Sequence, residues 1–60
     1  MTDYDKAVID VLLKEAAIDA LNEDNKWNLY KYYKNEIYEI NLTSDEYETV
    51  IKQLTNILGI

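Results

Sequence analysis

The sequence predicts an α+β fold, a single small domain spanning residues 1–60 in which helix, β-hairpin and helix follow one another and both helices lie on one face of a two-stranded antiparallel sheet. Three observations predict it. Residues 3–22 hold neither Gly nor Pro and are rich in Ala and Leu, and residues 44–58 repeat apolar side chains at helical spacing. Between them, "KWNLYKYYKNEIYEINL" concentrates aromatic and β-branched residues of the kind that suit a half-buried pleated surface.

The first helix follows Thr2, a suitable N-cap, with Asp3 and Asp5 placed to favour the helix dipole. Asp3, Lys6, Asp10 and Lys14 form one polar stripe, with Asp10 and Lys14 in the favourable i,i+4 order. Nearly everything else is apolar. Tyr4, Ala7, Val8, Val11, Leu12 and Ile18 share one flank, and Ile9, Leu13, Ala16 and Ala20 another, interrupted mainly by Glu15 and Asp19. One small partner layer does not cover both flanks. The helix is therefore expected either to be wrapped by the rest of its chain or to meet a second copy as well, with Val8 and Leu13 as candidate seam residues.

The polar segment "NEDNK", residues 22–26, ends this helix. In the middle segment, a two-residue turn at Lys34 and Asn35 pairs Leu29 with Ile40 and Trp27 with Leu42. Trp27, Leu29, Ile40 and Leu42 then belong to the core. On the opposite face Tyr30, Tyr32, Ile37 and Glu39 point outward and form a candidate protein-contact surface, since Tyr offers a large, fairly rigid, amphipathic area. The alternative is an all-α three-helix bundle, in which Leu29, Tyr33, Ile37 and Ile40 recur at spacings of four, four and three. For the last helix, Thr43 and Glu46 make a capping box, Leu42 can staple onto Tyr47, and Glu48 can pair with Lys52. Tyr47, Val50, Ile51, Leu54, Ile57 and Leu58 give it one buried face, and Gly59 stands where a left-handed cap is expected.

Composition narrows the function classes. With no Cys and no His, the usual general base, the thiolate nucleophile and the commonest transition-metal ligands are missing, so an enzyme or a metal protein is not expected. The only Gly is residue 59, which leaves no glycine-rich phosphate cradle, and "DALNEDNKW" lacks the spacing of a calcium loop. No cofactor is expected. Six basic residues against twelve acidic ones, for a net charge of −6, argue against direct binding of a phosphate backbone. No apolar run approaches the ~18 residues that cross a bilayer, and "MTDYDK" lacks a signal-peptide pattern, so a cytoplasmic location is expected and the Asn41-Leu42-Thr43 sequon carries no weight.

What remains is binding. Small size, acidic balance and heavy Lys, Asn and Ile usage make the chain resemble, in type only and through no motif, the accessory proteins of phages and plasmids, including anti-restriction and anti-CRISPR inhibitors. The resemblance implies a non-catalytic protein that binds another protein, in one form an acidic mimic of nucleic acid that blocks a host nucleic-acid enzyme. The alternative is a self-associating assembly protein, a homodimer through its first helix.

Overall fold

A computed structural model describes residues 1–60 as three helices and no strand: α1 Asp3–Asn22, α2 Lys26–Tyr38 and α3 Ser44–Leu58. The α+β expectation is overturned, and the chain adopts the three-helix alternative. The hairpin is absent because α2 runs without a break through Lys34 and Asn35, where a turn was expected. Neither residue is Gly or Pro, and a helix satisfies the backbone of the segment internally, whereas a lone two-stranded ribbon leaves both of its edges unpaired. Tertiary packing outweighs the modest helix propensity of Asn, Tyr and Ile. Helical spacing brings Tyr33 and Ile37 into the core and leaves Leu29 and Ile40 half-buried against it.

The helix ends explain most of the local order. Thr2 Oγ1 accepts the Asp5 N–H at 3.1 Å while Asp5 accepts the Thr2 N–H at 3.4 Å, and Thr43 and Glu46 repeat this reciprocal box at 3.2 and 3.1 Å. Asn25 caps α2 by accepting the Asn28 N–H. α1 has no basic residue in its own last turn. Lys26 supplies that charge from the start of α2, its ammonium donating to the carbonyls of Ala20 and Glu23, where the negative end of the α1 dipole lies. At the other end, Gly59 adopts φ 76° and donates to the Thr55 carbonyl at 2.8 Å; a Cβ there would touch nothing, so the requirement is conformational.

Each helix packs on the other two. The core consists of Ile9 and Ala16 from α1, Tyr33 and Ile37 from α2, and Val50, Leu54 and Leu58 from α3. Its one polar atom is satisfied, because Tyr33 Oη donates to the Asp19 carboxylate. Two positions reverse their expected roles. Ile37, taken as outward-facing, is wholly buried, and Trp27, taken as core, is 60% exposed. For Ile37 the reason is the missing turn: a two-residue turn at Lys34 and Asn35 sends Tyr33 and Ile37 to opposite faces of a hairpin, while in one unbroken helix a spacing of four puts both on the buried side.

Two expectations test this packing. Ile37→Ala should cost about 2–5 kcal/mol in chemical denaturation and Trp27→Ala less than about 1 kcal/mol, the reverse of what a hairpin requires. The Met1 α-ammonium, 2.7 Å from Glu46, together with the Thr43 backbone N–H, lowers the Glu46 carboxyl from 4.5 to about 2. A folded-state pKa below the unfolded one stabilises the fold above pH 4.5, and that contribution is lost as pH falls toward 2. Melting temperature followed between pH 6 and 2 should therefore decline less in Glu46→Gln than in the parent.

Candidate functional site

The buried residues of α1 use only one side of that helix. Ile9 and Ala16 face the core, and the opposite side presents Tyr4, Val11 and Ile18 to solvent at 77, 53 and 60% exposure, each seven residues from the next. Leu21, one turn beyond Ile18, is 85% exposed. Val8 is half-buried beside this stripe and, with Tyr4, Ala7, Val11, Leu12 and Glu15, lines a shallow groove of about 350 Å³. The apolar surplus of α1 thus lies on one side of the helix, interrupted by the exposed Lys14.

Leu13 does not belong to it. It is half-buried on the core side, in a cleft of about 580 Å³ between α1 and the start of α3 that also holds Ile9, Asp10, Asp45, Glu46 and Val50. The two candidates, expected on different flanks of α1, lie on different sides of it, since five residues turn a helix through more than a quarter-circle. Val8 stays at the margin of the exposed face, and Leu13 supports the fold.

The expected Tyr face of the middle segment does not exist as a unit. Ile37 and, in part, Tyr30 turn inward, while Tyr32 and Glu39 point outward. Trp27 stands edge-on to Tyr30 with ring centroids 5.7 Å apart, and the Lys34 ammonium lies 5.5 Å from the Tyr30 ring centre. Tyr32 packs edge-on against Tyr33 at 5.0 Å, and Tyr38 against Tyr47 at 6.1 Å. These rings shield neighbours on their own or an adjoining helix, which leaves their outer edges exposed in separate places rather than in one patch.

Charges are dispersed. The ion pairs are Met1 with Glu46 and Lys52 with Glu48, the latter at 3.7 Å as the sequence suggested. Asp10 and Lys14, also expected to pair, do not, and both are exposed. No group of three or more carboxylates is arranged to hold a metal ion, and no helix is long and apolar enough to cross a membrane. The one shifted side chain besides Glu46 is Tyr33, whose phenol is pushed well above its usual range by burial and then by the hydrogen bond to Asp19.

Leu21 and the spacings of seven, seven and three that link it to Tyr4, Val11 and Ile18 were open to sequence reasoning, because they put these residues on one side of an uninterrupted helix. Which side of α1 the other helices would leave bare was not.

Tyr33 yields a pH test of the α1–α2 contact. Its raised folded-state pKa stabilises the fold below pH 10, and this contribution is lost as pH rises above 10, where the unfolded chain releases the proton and the folded chain retains it. Circular-dichroism melts between pH 9 and 11.5 should show a smaller alkaline loss in Tyr33→Phe than in the parent.

No protein family, curated protein or solved structure matches this chain.

Proposed function

We propose that the chain is a non-catalytic assembly module that acts by pairing with a second copy of itself through the outward face of α1. The observation that carries this reading is the stripe of Tyr4, Val11, Ile18 and Leu21, which exposes more apolar side chain on one helix than the seven-residue core encloses from that helix. A helix that is apolar around most of its circumference belongs in an interior. A chain of this size also gains from association, because a small domain buries only about 60% of its unfolded surface. The reading takes the protein to work in the cytoplasm, where a Cys-free core needs no oxidising compartment.

A second reading, capture of a different protein by a small acidic inhibitor, is favoured by the exposed rings of Trp27, Tyr32 and Tyr38. Its nucleic-acid-mimic form is disfavoured by carboxylates that are spread over three helices with Lys among them. Electrostatic capture weakens steeply with salt, and association through an apolar seam does not.

Light scattering over a wide concentration range should give a dimer mass that persists into the low micromolar range and is unchanged between low and high sodium chloride. Val11→Glu and Ile18→Glu should each return the chain to a folded monomer with its helical circular dichroism intact. A parent that is monomeric throughout removes the reading.

A further inference from the structure

The outward face of α1 also holds information about how its occupant is oriented. Tyr4, Ala7, Val11, Lys14, Ile18 and Leu21 alternate spacings of three and four, which are the two core positions of a coiled-coil seam. Ile9 and Ala16, both buried, recur seven apart on the side facing away from it. Core and seam therefore run back to back along a 20-residue helix about 30 Å long, nearly the full 32 Å extent of the molecule.

One of the six seam positions is charged, and it lies next to the centre. Lys14 is exposed and takes part in neither ion pair, and the same holds for Asp10 one turn earlier. Their state decides between the two ways of laying one α1 on another. In a parallel pair like faces like, so the two Lys14 ammoniums meet across the seam, which is repulsive. In an antiparallel pair Tyr4 meets Leu21, Ala7 meets Ile18 and Val11 meets Lys14. Each Lys14 ammonium then stands within about 1.5 Å, one residue of axial rise, of the level of the other copy's Asp10. The helix dipoles also oppose one another in this arrangement.

We infer that the occupant is a second copy whose α1 lies antiparallel to the first, with two Lys14–Asp10 pairs across the seam fixing the orientation. This rests on the self-association proposed above. A lone charged residue in an apolar seam gives up affinity in exchange for a single register, which is its best-attested use. The free protomer leaves both charges without a partner, and the antiparallel dimer supplies one to each.

The chain has no Cys, so Asn22→Cys introduces a unique thiol at the exposed end of α1, outside the seam positions. A nitroxide attached there reports the pairing directly by pulsed electron spin resonance. The antiparallel pair places Asn22 opposite Asp3 of the other copy, so the two labels stand roughly 30 Å apart, while a parallel pair brings them within about 15 Å. A dimer mass with the long distance supports the inference. A dimer mass with the short distance overturns the orientation while leaving self-association standing, and a monomer mass with no intermolecular distance removes both. Lys14→Leu gives an independent reading: dimerisation should tighten at least about tenfold and the distances should split into long and short populations. A single long distance in that variant overturns the orienting role of Lys14.

Discussion

The fold depends on how few side chains water cannot reach. Ala16 of α1, Ile37 of α2 and Leu54 of α3, one residue from each helix, are completely withdrawn from water, and the other four core residues are at most 5% exposed. Ala16 matters because it is small: where a buried helix position carries no long side chain, a neighbouring helix can approach closely. With so few enclosed side chains, each methylene of the core represents a sizeable share of a stability that is marginal in any domain of this length.

The helix ends take on unusual weight for the same reason. Two reciprocal boxes at Thr2 and Thr43, a left-handed glycine after α3 and a lysine lent by α2 to the end of α1 satisfy backbone groups that the helices themselves leave unpaired. Their local character made them legible. Thr43, Glu46 and Gly59 can be recognised from spacing alone, as can the extents of α1 and α3, because the chemistry lies within a few residues of chain.

The middle segment was not legible in this way, and its residues show why. Between Trp27 and Leu42, apolar side chains satisfy a period of two and a spacing of four together, and local propensity leans toward the strand. What separates the two is the need for a third surface to close over Ile9 and Ala16, a property of the whole chain. The same limit applied to α1. Its two apolar flanks were visible, with Leu13 on the flank of Ile9, Ala16 and Ala20, but which flank α2 and α3 would cover and which they would leave bare is a tertiary fact.

The short connections between helices have a kinetic consequence. Only residues 23–25 separate α1 from α2, and 39–43 separate α2 from α3. Although α1 and α3 also pack on each other across the chain, most of the structure is local helix, and small helical bundles of this kind fold in microseconds to milliseconds. A rapid folder with little enclosed surface also opens and recloses often, faster than a protease can act on a single opening. Its lifetime inside a cell is then governed by the fraction of time spent open rather than by any unfolding barrier, and whatever covers the outside of α1 sets how long each molecule lasts.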